Sequence, residues 1–177
     1  MTLKSGKPNL ADIRLFVVMG VAGCGKTTIG ENLAAAIDGI FLDGDAFHPQ
    51  SNIEKMSQGI ALTDEDRWPW LETFAREIAV RPGAVIGGCS SLKRAYREHI
   101  TQAAGEPVLF IYLDGSKELI ADRMGKRQGH FMPTSLLDSQ FATLEVPTAD
   151  ETAIHIDIDA PTGEIVRRIR LQINDNA

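Results

Sequence analysis

Apolar residues along this chain gather into short runs. The runs occupy positions 15–19, 40–42, 84–86, 108–113 and 154–158, and the stretches between them are long enough to hold crossover helices. Apolar runs spaced by helix-length segments predict parallel strands buried on both faces, an α/β domain with helices on either side of the sheet. Three helices are legible from their ends and period. One opens at Lys26 and runs to about Ile37. A second begins at Thr63 with an acidic first turn, carries apolar positions at Trp70, Leu71, Phe74 and Ile78, and stops before Pro82-Gly83. The last runs from about Thr162 to Ile173. The least regular stretch is 125–133, where glycines flank Lys126, Arg127 and His130; a mobile lid over about residues 123–135 is the expectation.

Between the first run and the first helix stands Gly20-Val21-Ala22-Gly23-Cys24-Gly25-Lys26-Thr27, the G-x-x-x-x-G-K-[ST] spacing of a phosphate loop in the strand, loop, helix order the motif requires. Glycines let the backbone approach phosphate oxygens, successive N–H groups point inward, and the positive end of the helix favours an anion. Nucleoside triphosphate binding is therefore expected. Lys26 would bridge the β- and γ-phosphates, and Thr27 would place its hydroxyl on Mg²⁺. Cys24 contributes mainly backbone.

The chain has 177 residues, enough for one domain that buries roughly 70% of its unfolded surface. Residues 1–12 read as a flexible polar arm, and 13–177 as the domain. Eighteen basic against twenty-four acidic side chains give a net charge of −6, which lacks the basic field of a nucleic-acid binder, so a small anionic ligand must meet local positive charge. The two cysteines, Cys24 and Cys89, make no disulfide framework and suit a cytoplasmic setting. No signal-peptide core or membrane-length apolar run is present.

Three clusters carry candidate chemistry. Asp43-Gly44-Asp45-Ala46-Phe47-His48-Pro49 follows the second strand and puts two carboxylates at the carboxyl edge of a parallel sheet, where ligands of such sheets collect. In phosphoryl transfer to an alcohol, Asp45 would orient the hydroxyl and take its proton, and Asp43 would serve the metal's water shell; a solvated turn is the structural alternative. Lys93 and Arg97, four apart, would share a helix face, either as a solvated basic stripe or as anion contacts. Arg123, Lys126, Arg127 and His130 form the third cluster, in which a closing arginine would meet the charge that spreads over a transferring phosphoryl group. Trp68 and Trp70 read as packing residues, and His99 and His155 as ordinary helix and strand positions.

The ordered set of motifs resembles the gluconate kinase (gluconokinase) family of P-loop small-molecule kinases from about residue 14 to 172. The stretches that carry the resemblance are Met-Gly-Val-Ala-Gly-Cys-Gly-Lys-Thr at 19–27, Leu-Asp-Gly-Asp-Ala-Phe-His-Pro at 42–49 and Asn-Ile-Glu-Lys-Met at 52–56. They continue with Gly-Ile-Ala-Leu-Thr-Asp-Glu-Asp-Arg-Trp-Pro-Trp-Leu at 59–71, Cys-Ser-Ser-Leu-Lys-Arg-Ala-Tyr-Arg at 89–97, Gly-His-Phe-Met at 129–132 and Leu-Leu-Asp-Ser-Gln-Phe-Ala-Thr-Leu-Glu-Val-Pro at 136–147. Ser91 stands where the family often has Ala, and Cys24 where it often has Ser.

The resemblance implies a three-layer α/β/α fold with five parallel strands ordered 2-3-1-4-5. It implies ATP and Mg²⁺ at Gly20, Val21, Ala22, Gly23, Cys24, Gly25, Lys26, Thr27 and Thr28, with the loop holding Asp159 and Pro161 beside the adenine. D-Gluconate would lie near Asp45, His48, Lys55, Arg67, Lys93, Arg97, His130 and Gln140, with Arg123 and Arg127 closing from the lid. The implied reaction phosphorylates the 6-hydroxyl of gluconate in carbohydrate acid catabolism, in a homodimer. A kinase for another acceptor such as shikimate shares the phosphate loop and an Asp-x-Asp pair. A nucleotide-dependent switch module is the reading from a different class.

Overall fold

The computed structural model describes residues 6–126 and 134–175. The five expected strands form as β1 (Leu15–Met19), β2 (Ile40–Asp43), β3 (Val85–Gly88), β4 (Val108–Asp114) and β5 (Ala153–Asp157). They are parallel and ordered β2-β3-β1-β4-β5, as the resemblance implies. Helices α1 (Lys26–Ala36), α2 (Gln50–Ser57), α3 (Asp64–Val80), α4 (Arg94–Ala104), α5 (Lys117–Gly125), α6 (Thr134–Thr143) and α7 (Thr162–Asp175) connect them.

Every side chain of β1 is buried, and the two-residue period divides them between two cores. Phe16 and Val18 join Leu109, Ile111, Ile154 and Ile156 with Ile29 and Leu33 of α1 and Ile165 and Ile169 of α7. Leu15, Val17 and Met19 join Val85, Phe110 and Tyr112 with Leu71, Phe74 and Ile78 of α3 and Ile100 of α4. Burying each such large side chain contributes about 1.5–3 kcal/mol, which makes the two-sided sheet the rigid support for everything at its carboxyl edge.

The start of α3 is fixed by a reciprocal cap. Thr63 Oγ1 accepts from the Asp66 N–H at 3.2 Å, and Asp66 Oδ2 accepts from the Thr63 N–H at 2.9 Å. At the other end of the chain order, the loose arm expected over residues 1–12 is more structured where it is described. Asn9 caps a 3₁₀ turn at Leu10–Asp12, Lys7 Nζ donates to the Ala149 carbonyl, and Leu10 packs on the core. Both ends of the expected lid are helical, since Arg123 lies in the last turn of α5 and α6 opens at Thr134. Residues 127–133, with Arg127 and His130, lie outside the described residues.

Candidate active site

The loop between β1 and α1 wraps the head of the central strand. Gly23 has a left-handed φ of +80°, and a Cβ there would meet Met124 Cγ and Sδ of α5 at 2.5 Å, so only glycine fits both the turn and the helix packed on it. Cys24 is buried against Gly20, and burial pushes its thiol pKa up, which keeps it an inert packing group. Lys26 folds back on its own loop: Nζ donates to the Gly20 carbonyl at 3.0 Å and to the Val21 carbonyl at 3.1 Å. The Ala22 N–H donates to Gln140 Oε1 of α6 at 2.6 Å. A cavity of about 270 Å³ lies on the other side of the loop, lined by Gly23, Cys24, Gly25, Thr28, Arg123 and Pro161 among others. It joins the expected nucleotide residues to one lid arginine; Asp159 is exposed and is not among its lining residues.

Across β3, the end of β2 supplies the carboxylates. Gly44 lies so close to β3 that a Cβ would stand 2.5 Å from the Gly88 carbonyl oxygen, and its own carbonyl accepts from Trp70 Nε1 at 2.8 Å. Asp43 Oδ1 accepts from the Asp45 N–H at 2.9 Å, which turns the chain and leaves the Asp45 side chain 85% exposed. A cavity of about 150 Å³ collects Lys26, Thr27, Asp43, Asp45 and Gln140 with Ala22, Gly88, Cys89 and Ser90. The phosphate loop, both candidate carboxylates and Gln140 therefore meet in one place.

Beside this cavity runs a charged shelf built on α2 and the start of α3. The His48 ring stacks on Trp70 with centroids 4.0 Å apart and points Nε2 at Asp45 Oδ1, 3.9 Å away. Burial lowers the His48 pKa and Arg67 adds to the effect, while Asp45 opposes it, so the ring is neutral near pH 7. Lys55 donates to both Asp66 oxygens at 2.9 and 2.8 Å. That bond, then the Thr63 N–H, holds the Asp66 carboxyl down to about 2. The Arg67 guanidinium and Lys93 ammonium each stand 5.5 Å from the centre of the Tyr96 ring. Tyr96 donates its hydroxyl to Asp64 Oδ1 at 2.5 Å, with Lys93 Nζ at 3.4 Å from the same oxygen. The tyrosine hydroxyl first, with help from Lys93, keeps the Asp64 carboxyl below its ordinary range. Burial, then Asp64, pushes Tyr96 up to about 12.

Arg97 does not join this shelf. Lys93 is the extended N-cap of α4 rather than a helical residue, so the expected common helix face does not exist. Arg97 is 2% exposed and gives Nε and Nη2 to Glu151 at 2.7 and 3.1 Å, and Nη1 to the Ser91 and Leu92 carbonyls at 2.9 and 3.3 Å. It holds the segment after β3 from behind, including Ser91 at a left-handed φ of +47°. Asn52, Asp64, Asp66 and Tyr96 are the site residues that pattern reading does not single out. The Thr63-x-x-Asp66 capping spacing and the four-residue step from His48 to Asn52 are the signals that point to two of them.

With this geometry in place, comparison with known proteins places the chain. A family model described as an AAA domain matches residues 15–147. A gluconokinase from Gluconobacter oxydans (strain 621H) is 48% identical over 147 residues, which cover 81% of this chain and 82% of that one. The crystal structure of a gluconokinase from Sinorhizobium meliloti 1021 superposes with a TM-score of 0.84 at 45% identity, covering 91% of both chains. A shikimate kinase from Aquifex aeolicus vf5 superposes with a TM-score of 0.61 over 91% of this chain and 96% of that one at 15% identity, a likeness of fold alone. This level of identity over most of both chains, together with the close superposition, means that the chain belongs to the gluconokinase family.

Proposed function

We propose that this chain transfers the γ-phosphoryl group of ATP to the 6-hydroxyl of D-gluconate, giving ADP and 6-phospho-D-gluconate. The observation that carries the reading is the single cavity in which Lys26 and Thr27 of the phosphate loop face Asp45 and Gln140. Asp45 aligns the 6-hydroxyl and accepts its proton as the O–P bond forms and the bond to the β-phosphate oxygen breaks. Lys26 exchanges the Gly20 and Val21 carbonyls for phosphate oxygens, and the N–H groups of the loop hold the rest of the triphosphate. Arg123 brings positive charge to the nucleotide side, and Arg127 and His130 are proposed from the resemblance alone to act with it. Lys55, Arg67 and Lys93 lend the shelf the charge that suits the gluconate carboxylate, with His48 and Gln140 as its polar contacts.

Thr27 and Asp43 fit a hard divalent cation such as Mg²⁺, which polarises the transferring phosphoryl group when bound. Both residues line the same cavity and would hold the ion there, while among the described residues no set of three or more His, Cys, Asp or Glu side chains is placed to hold a metal. We place the enzyme in the cytoplasm as a homodimer, and no helix of the described residues is long and apolar enough to cross a membrane.

The test is ATP consumption with Mg²⁺ across D-gluconate, related sugar acids, shikimate, nucleosides and nucleoside monophosphates, with a no-acceptor control. Stimulation by gluconate with 6-phosphogluconate as product is expected. Stimulation by shikimate instead, or slow hydrolysis indifferent to every acceptor, overturns the reading.

A further inference from the structure

Asn52 has no part in the reaction as proposed, yet it is 1% exposed and spends both its amide hydrogens within the site. One goes to the Asp66 carbonyl, with Nδ2 at 3.0 Å. That oxygen is only an acceptor, so it fixes which end of the Asn52 amide is nitrogen. The same Nδ2 lies 3.3 Å from His48 Nδ1, and a donor on Asn52 demands a lone pair on the imidazole nitrogen that faces it. The one proton of the neutral ring must then sit on Nε2, the nitrogen turned towards Asp45.

We infer that Asn52 is a positioning residue that locks His48 in its Nε2–H form, so that His48 and Asp45 offer one donor and one acceptor to a single hydroxyl of the substrate. The geometry supports this division. At 3.9 Å, Nε2 and Asp45 Oδ1 are too far apart to bond each other, yet one hydroxyl oxygen about 2.8 Å from both would accept from the first and donate to the second. The ring cannot turn away, because it stacks on Trp70, and Trp70 is itself tied to the Gly44 carbonyl. The opposite tautomer would set Nδ1–H against the Asn52 amide and a lone pair against a carboxylate, two repulsions in place of two matched contacts. The role assigned to the hydroxyl rests on the proposed phosphorylation of gluconate; the tautomer does not.

Long-range ¹H–¹⁵N correlation spectra of ¹⁵N-histidine-labelled protein at neutral pH test the lock directly, with the His48 signals assigned by their loss in His48→Gln. A protonated Nε2 and an unprotonated Nδ1 are expected. A protonated Nδ1, or an even mixture of tautomers, overturns the inference whatever the substrate proves to be. Asn52→Asp supplies an acceptor where the amide gave a donor, so it should place a proton on Nδ1, and where the ring thereby gives up Nε2–H the KM for gluconate should rise about tenfold while the KM for ATP stays within about twofold. A reversed tautomer with an unchanged KM for gluconate removes the hydroxyl from the assignment, and an equal rise in both constants reduces Asn52 to a structural residue. Should that variant fail to fold, the wild-type spectrum still decides the tautomer. Absence of gluconate-stimulated turnover in the wild type defeats the proposed function and leaves the lock standing or falling on the spectrum.

Discussion

Asp45 and Arg97 show how differently two charged residues of one domain are employed. The Asp45 carboxylate projects into solvent at the sheet edge, held only through its backbone by Asp43. Asp45→Asn keeps the shape and removes the proton acceptor, so kcat should fall by about 10²–10⁴ with the KM for ATP nearly unchanged, as steady-state kinetics will show. Arg97 is buried with Glu151 as its counter-ion. Removing one partner of such a pair leaves an uncompensated charge, and Arg97→Ala should cost about 3–5 kcal/mol in urea unfolding, a large share of the roughly 5–15 kcal/mol typical of a domain. The sequence made Asp45 legible because it stands in a turn beside a phosphate-loop signal. It hid the nature of Arg97, because Glu151 lies 54 positions away and no local spacing announces the pair. Asn52 is signalled only by its four-residue step from His48, and its meaning depends on the Asp66 carbonyl, a backbone atom that composition never reveals.

At the scale of elements, burial decides what could be read. Strands buried on both faces announce themselves as apolar runs, and the Thr63–Asp66 reciprocal cap announces α3. By contrast α2 has only eight residues and leaves Ile53 and Met56 exposed, so its apolar positions mark no core-facing stripe. The approach of β2 to β3 is equally close and equally silent in sequence. Gly44→Ala would force a Cβ to within 2.5 Å of the Gly88 oxygen, and since backbone must move, a loss of about 1–3 kcal/mol and a marked fall in kcat/KM are expected from denaturation and kinetics together. The start of α3 carries a pH signature. The Asp66 carboxyl titrates near 2 in the fold against about 3.9 unfolded. The unfolded chain therefore binds the extra proton between these values, and the stabilisation, complete above about pH 4, is lost as pH falls towards 2. Asp66→Asn should flatten the acid limb of stability over that window, as thermal unfolding at stepped pH will show.

Taken whole, the molecule is a rigid two-sided sheet with its binding groups gathered along one edge, and ligands that bind only the folded form must stabilise it. ATP with Mg²⁺ at about a hundred times its Kd should raise the Tm by roughly 5–10 °C in a thermal-shift measurement, and Lys26→Ala should abolish most of that rise. The parked state of the phosphate loop adds a further consequence. Because the Lys26 ammonium already holds two carbonyls and the Ala22 N–H already holds Gln140, an arriving anion gains from these groups only the excess of its charge-assisted bonds over the neutral ones it displaces. A phosphate oxygen must take over each of these three contacts before binding here turns favourable. The resting loop thus competes with its guest for the same donors.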